Sequence, residues 1–140
     1  MKNIKVRKLS ARAMKPYGKI IDKSFVKDDG YGDKFGVLLK EASRGWRIGY
    51  LVLRKKAIVR LEKHPDSLET FEPITGKAVI ALASNKTPDK MELFFLDKPV
   101  VVKKGVWHDL FALSGECEIK IFENIRVKVD YHYLKNIILA

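Results

Sequence analysis

Four side chains in this sequence have the types and spacing for acid–base or metal chemistry: Glu62, His64, Glu69 and His108. Glu62 and His64 are two apart on a run that alternates like a β-strand, so both project from one face. That face continues the even positions Ile58 and Arg60 and turns polar toward the end of the run. Pro65 and the turn after it send the chain back, which lets Glu69 return beside His64. Two carboxylates and an imidazole that converge in this way can bind a divalent cation or move protons. The second imidazole, His108, follows Lys103-Lys104-Gly105, a turn signal leading into another strand-like run. In a closed sheet such a ring can meet one from a distant strand. Two histidines and two carboxylates suit several divalent ions, nickel, manganese and zinc among them.

The elements that must position these groups are strands. Period-two alternation marks Ile119 to Glu123 and Ile125 to Tyr133 as half-buried strands. Further strand-like runs are Phe35 to Lys40, Trp46 to Arg54, Ala57 to Lys63, Lys77 to Ala83, Met91 to Leu96 and Lys98 to Val102. Turn chemistry separates them at 28–33, 43–45, 64–67 and 114–115. Helix signals are few: Ser10 can cap a short helix over Ala11 to Met14 that Pro16 stops, and Thr87-Pro88-Asp89 can open one turn. Many short strands with one or two short helices predict an all-β antiparallel sandwich or barrel. Trp46 and Tyr50 recur on one strand face and read as core, Cys117 reads as a buried thiol, and His132 reads as solvated on a polar strand face. Glu72, Glu116 and Glu118 read as surface carboxylates.

At 140 residues the chain suits one domain, residues 1–140, with no repeat, linker or low-complexity stretch. No apolar run reaches the ~20 residues that cross a bilayer, and Met1 to Val6 lacks the apolar stretch of a secretory leader. A single cysteine excludes an internal disulfide, so the expected location is the cytoplasm. The net charge of +11 is spread along the chain among acidic residues and forms no basic cluster or nucleic-acid-binding motif. It is read as steering small anionic ligands, with neither nucleic acid nor membrane as partner.

The spacing resembles the cupin signature. Glu62-x-His64, four residues, Glu69, six residues and Gly76 follow the first cupin motif, with Glu62 in place of its first histidine; Gly105-x-x-His108 matches the end of the second. A narrower resemblance is to the ureidoglycolate lyases. Lys15-Pro16-Tyr17-Gly18-Lys19-Ile20-Ile21 is similar to that family's Pro-Tyr-Gly-x-Val-Ile opening. Leu61-Glu62-Lys63-His64-Pro65 and Phe71-x-Pro73-Ile74-x-Gly76 resemble its Leu-Glu-Arg-His-Pro and Phe-x-Pro-Leu-x-Gly. Gly105-Val106-Trp107-His108-Asp109-Leu110-Phe111-Ala112 resembles its Gly-Val-Trp-His-His-Pro-Leu stretch. The chain departs from the family at Glu69, where Gln is common, and at Asp109 and Leu110, where a second His and a Pro stand. The stretch between Tyr50 and Ala57 is shorter and lacks an Asn-Arg pair.

The resemblance implies a cupin-type antiparallel β-barrel (a double-stranded β-helix, or jelly roll), paired into homodimers. It also implies a lyase that splits ureidoglycolate into glyoxylate and urea, a step of allantoin degradation in purine metabolism. Its candidate catalytic groups are His64, His108, Glu69 and Glu62, and the same four are the candidate metal ligands. Arg60 or Lys103 would hold the substrate carboxylate, and Trp107 would contact substrate. Ile125 to Tyr133 and Ile137-Ile138-Leu139 could form the dimer seam. Two other functions stay open: a non-catalytic protein binding a small anion or sugar, and a metal-dependent isomerase or dioxygenase acting on another small acid.

Overall fold

In the computed structural model, which describes residues 4–140, the alternating runs become strands of two main sheets. Met1, Lys2 and Asn3, read above for a leader, lie outside the described residues. The elements in chain order are β1 (Val6–Arg7), α1 (Ala11–Met14), β2 (Gly18–Ile20), a short 3-10 turn (Lys23–Phe25), β3 (Lys27–Asp28), β4 (Lys34–Phe35), β5 (Trp46–Leu53), β6 (Ala57–Lys63), β7 (Glu69–Thr75), β8 (Ala78–Ala83), β9 (Glu92–Phe95), β10 (Val100–Val102), β11 (Trp107–Ala112), β12 (Cys117–Asn124) and β13 (Asp130–Leu139). A six-stranded sheet runs β1-β9-β8-β11-β6-β13 and a five-stranded sheet runs β2-β10-β7-β12-β5. All pairings are antiparallel except β1 with β9. The architecture is the all-β jelly-roll barrel that the sequence predicts.

The core lies between the sheets. Ile80, Leu82, Phe94, Leu110 and Ala112 from the six-stranded sheet pack against Phe71, Val100, Val102, Cys117 and Ile119 from the other. Burying each such side chain contributes about 1.5–3 kcal/mol. A second cluster occupies the opposite face of the six-stranded sheet, where Ile58, Leu61, Val79, Ala81, Trp107 and Phe111 are covered by Ile4, Val6, Leu134 and Ile138. With both faces covered, β8 is buried along its whole length and reads as an unbroken apolar run.

Several local expectations change. Ile125 to Val129 form no strand, because this stretch carries the chain from β12 in one sheet to β13 in the other. The last strand starts at Asp130, where pairing with Lys63 of β6 begins. Ile138 packs on this chain's own second cluster, while Ile137 and Leu139 stay exposed. The expected strand from Phe35 to Lys40 ends at Phe35, where its pairing with β3 stops. β7 escapes simple alternation because Pro73 lacks a ladder donor; its partner Ile119 lies at the register shift, as a proline inside a sheet requires. Ser10 caps α1 by accepting the Ala13 N–H at 3.1 Å, as predicted. Trp46 and Tyr50 are not core: β5 is an edge strand, and its even positions Trp46, Ile48, Tyr50 and Val52 face outward.

Candidate active site

The site forms where β6, β7 and β11 meet. β6 ends at Lys63, and residues 64–68 cross to the other sheet, so Glu62 and His64 on one side face Glu69 at the start of β7. β11 lies beside β6, with His108 directly opposite Glu62. Gly105, in the left-handed region at φ +76, makes the turn into β11, and its N–H donates to the His64 carbonyl at 3.0 Å. One turn thus ties the two histidine segments together.

The two imidazoles meet at one carboxylate oxygen. His64 Nε2 and His108 Nε2 each lie 2.9 Å from Glu69 Oε2. Glu62 Oε1 is 3.6 Å from His108 Nε2 and 3.9 Å from His64 Nε2. The ring centroids are 5.1 Å apart, and Phe71 packs edge-on against His108 at 5.4 Å. His64, Glu69 and His108 are all buried. Each ring is oriented from behind: His64 Nδ1 contacts the Lys128 carbonyl at 3.0 Å and His108 Nδ1 the Val106 carbonyl at 3.1 Å.

A carbonyl only accepts, so both Nδ1 atoms donate. A neutral imidazole then turns its Nε2 lone pair toward Glu69, acceptor against acceptor. Either protons or a cation must resolve this. Although 2.9 Å apart, Glu69 Oε2 and His108 Nε2 lack hydrogen-bond alignment, and neither atom has a hydrogen-bond partner among the described residues. In the metal-free protein the charges adjust. Burial alone would push the Glu69 carboxyl up, but the two imidazoles bring it down to about 2. Burial alone would lower His108, but Glu62 and Glu69 raise it to about 10. His64 is raised in the same way, Glu69 outweighing its burial, and the His108 imidazole lowers Glu62. Two imidazole nitrogens held in one tautomer, with carboxylates facing them and two orphaned buried atoms, fit a divalent cation.

Glu62 and Glu69 also line a cavity of about 510 Å³, together with Leu51, Arg54, Lys55, Arg60, Phe71 and Asp109. The two histidines stand behind these carboxylates and do not line it. Arg54 is paired with Glu116 at 2.9 Å and Lys55 with Asp109 at 2.5 Å. Burial raises the Asp109 carboxyl against the opposing pull of Lys55. Arg60 has no carboxylate partner among the described residues: its Nη1 donates to the Tyr133 hydroxyl at 3.1 Å, and its guanidinium lies 4.1 Å from the Tyr131 ring centre.

The structure therefore brings together Glu62, His64, Glu69 and His108, with Arg60 at the cavity. It does not bring Lys103 or Trp107 there. Lys103 donates to the Lys15 carbonyl at 2.9 Å in a different groove. Trp107 neighbours His108 on one strand and so faces the opposite way, into the second cluster, with Nε1 donating to the Asn85 carbonyl at 2.8 Å. Ile58 also leaves the site face, packing with Leu61 in the second cluster, and the β6–β13 register shifts between its partner Ile138 and Tyr133. His132 is not freely solvated: it contacts Asp89 at 2.9 Å and packs beside Trp107. Lys55 and Asp109 line the cavity and Glu123 lies beside His64 and Glu69, and the motif spacing points to none of the three. Glu123 was detectable in principle, being a charge in the apolar phase of Ile119-x-Ile121-x-Glu123.

Among solved structures, the sugar 3,4-ketoisomerase QdtA from Thermoanaerobacterium thermosaccharolyticum, in complex with TDP, is similar at 17% identity and a TM-score of 0.53, over 85% of this chain and 87% of that one. The oxalate decarboxylase OxdC of Bacillus subtilis, as its S161A mutant, is similar at 15% identity and a TM-score of 0.49; 64% of this chain is covered, which spans only 24% of that protein. Procruciferin, an 11S globulin from Brassica napus, is similar at 12% identity and a TM-score of 0.46 over 59% of this chain, which spans 21% of that protein. At these identities the likeness to QdtA is one of fold, and the fold is that of the cupins. A search of curated proteins found no match. The model of the ureidoglycolate lyase family matches residues 1–138, and the chain belongs to that family.

Proposed function

We propose that this protein cleaves ureidoglycolate into glyoxylate and urea at the centre formed by Glu62, His64, Glu69 and His108. The observation that carries this reading is the meeting of two buried imidazoles at one oxygen of Glu69, beside a cavity lined by Arg60, which has no carboxylate partner among the described residues. Ureidoglycolate is a carbinolamine: one carbon bears a hydroxyl, a urea nitrogen and a carboxylate. The hydroxyl O–H and the C–N bond break, the C=O bond forms, and urea leaves with its nitrogen reprotonated. The net movement is one proton from oxygen to nitrogen.

Arg60 binds the substrate carboxylate, since Arg54 and Lys55 are already paired with Glu116 and Asp109. Glu62 lines the cavity and is kept ionised by His108, so it accepts the hydroxyl proton and returns it to the urea nitrogen. His64, His108, Glu69 and Glu62 are the residues that would hold a divalent cation, and such a cation would polarise the substrate hydroxyl and lower its pKa. Glu69 and the two backbone carbonyls fix the imidazoles in position.

The same reading places the reaction in purine breakdown through allantoin, with the protein acting in the cytoplasm. Among the described residues no helix is long and apolar enough to cross a membrane. Pairing of two copies is proposed along the outward face of β5, where Trp46 stacks on Phe122 beside exposed Ile48 and Tyr50.

Purified protein supplied with ureidoglycolate should release urea, and His64→Ala should abolish the release. Binding of the substrate without turnover would instead identify a non-catalytic anion-binding protein.

A further inference from the structure

Strand register places one more acidic residue beside the centre. Glu123 on β12 is the direct partner of Glu69 on β7 and of Arg47 on β5. Register partners share a sheet face, so Arg47, Glu123 and Glu69 form a row across three adjacent strands. Carboxylates directly opposite one another repel. Here both are largely withdrawn from water, the side chains of Glu123 and Glu69 being 11% and 7% exposed. Folding tolerates that pair only if cations stand close by.

Arg47 answers part of the need. Its Nε and Nη2 both donate to Glu123 Oε1, at 2.9 and 2.7 Å. Among the described residues no side chain or backbone group donates to Oε2. His64, Glu69 and Glu123 each offer a ligand atom, and all three atoms lie within 4.8 Å of one another. Next to them are the two orphaned buried atoms, Glu69 Oε2 and His108 Nε2.

We propose that Glu123 belongs to this centre as a third carboxylate, which Arg47 grips by one oxygen so that the other serves a divalent cation shared with His64 and Glu69. The proposal rests on the reading that the centre takes a cation. It goes beyond the four residues that the motif spacing supplies, and it makes Arg47 a positioning residue at the sheet edge. The competing role for Glu123 is mechanical, an ion pair that staples the edge strand β5 to β12.

Two substitutions break the same ion pair and separate these roles. Glu123→Gln removes the carboxylate but keeps its shape; Arg47→Gln removes the grip and leaves the carboxylate. Full-length protein is titrated with Mn²⁺ alone, with free Mn²⁺ followed by electron paramagnetic resonance and folding checked by urea midpoint. E123Q, which removes a ligand, should weaken Mn²⁺ binding by more than the roughly 10- to 100-fold that loss of an outer-shell partner costs, and should change the bound-ion spectrum. R47Q should bind Mn²⁺ far more tightly than E123Q. If E123Q does not fold, Glu123→Asp replaces it: a retracted carboxylate should alter the bound-ion spectrum, which a distant staple would leave as in wild type. Equal affinities for E123Q and R47Q would overturn the proposal and leave Glu123 as the staple. A wild-type protein that binds no Mn²⁺ would remove the cation reading itself, and this inference with it.

Discussion

Glu62 and His108 stand opposite one another as the single register pair joining β6 to β11, with Oε1 and Nε2 3.6 Å apart. Past this pair the two strands part, and Arg60 on one and Asp109 and Leu110 on the other line the cavity. The same pair therefore ends a ladder and opens a site. Glu62 and Glu69 both line the cavity and are both held ionised, but the Glu62 side chain is 38% exposed against 7% for Glu69, so Glu62 is the one open to substrate. Glu62→Gln should lower kcat for urea release by about 10² to 10⁴-fold, the range for losing a general acid–base group. The protein should remain folded, since the side chain is part-exposed and the replacement keeps its volume. A variant with near wild-type kcat would move the proton transfer to another group.

Arg60 should act on binding. Among the cavity cations it is the one without a carboxylate partner among the described residues, held instead by Tyr131 and Tyr133. Arg60→Gln removes a charge-assisted hydrogen bond worth about 1.5–3 kcal/mol, which is roughly 10- to 100-fold in kcat/KM. The loss should appear mainly as a higher KM, because a substrate carboxylate is held equally in ground state and transition state. Lys55→Gln should change KM little, its charge being already matched by Asp109. Steady-state kinetics on both variants decide this; equal KM effects would make Arg60 one of several interchangeable cations.

Much of this was legible in the sequence, for a physical reason. Period-two alternation is imposed by a half-buried sheet, so β5, β6 and β12 announce themselves, and the spacing from Glu62 to Gly76 follows from one strand crossing to the next sheet. What was not legible depends on pairing between distant strands. Trp107, a substrate contact by resemblance, adjoins His108 in sequence, and adjacency on a strand puts the two on opposite faces. Lys103 is a carboxylate-holding candidate by sequence, but its ammonium sits on the Lys15 carbonyl, away from the cavity. Trp46 and Tyr50 looked like core because alternation shows that a strand has two faces and not which one is covered; only the edge position of β5 settles that. Glu123 shows locally only as a charge in the apolar phase of Ile119-x-Ile121-x-Glu123; that it stands beside Glu69 is set by strand register.

The two motif glycines should differ in cost. At Gly105 (φ +76) an added Cβ would meet nothing nearer than Asn85 Cγ at 3.8 Å, so Gly105→Ala incurs mainly the left-handed backbone penalty of about 1–2 kcal/mol. At Gly76 (φ +79) the same Cβ would lie 2.4 Å from the Glu116 carbonyl oxygen and 2.9 Å from Cys117 Cα. Backbone there must move, so Gly76→Ala should destabilise by clearly more than Gly105→Ala. Urea midpoints compare them directly. Similar losses would show that the β7–β8 turn yields easily.

The pH dependence of stability should change when the centre is loaded. Glu69 has its pKa lowered from 4.5 to about 2 on folding, so its stabilising effect is present above about pH 4.5 and is lost as pH falls toward 2. His108 has its pKa raised from 6.5 to about 10, so its effect is complete below about pH 6.5 and fades as pH rises toward 10. For this pair, the metal-free protein should therefore be most stable between about pH 4.5 and 6.5. A divalent cation requires both imidazoles neutral at Nε2, so it competes with the very protons that stabilise the metal-free form. Its binding should release protons and should stabilise the fold most on the alkaline side, where the metal-free protein is losing the His108 contribution. Urea midpoints from pH 4 to 10, with and without Mn²⁺, should show the optimum moving upward on loading, and titration in buffers of different ionisation enthalpy should detect the released protons. Parallel curves with no proton release would mean that the cation binds away from these imidazoles.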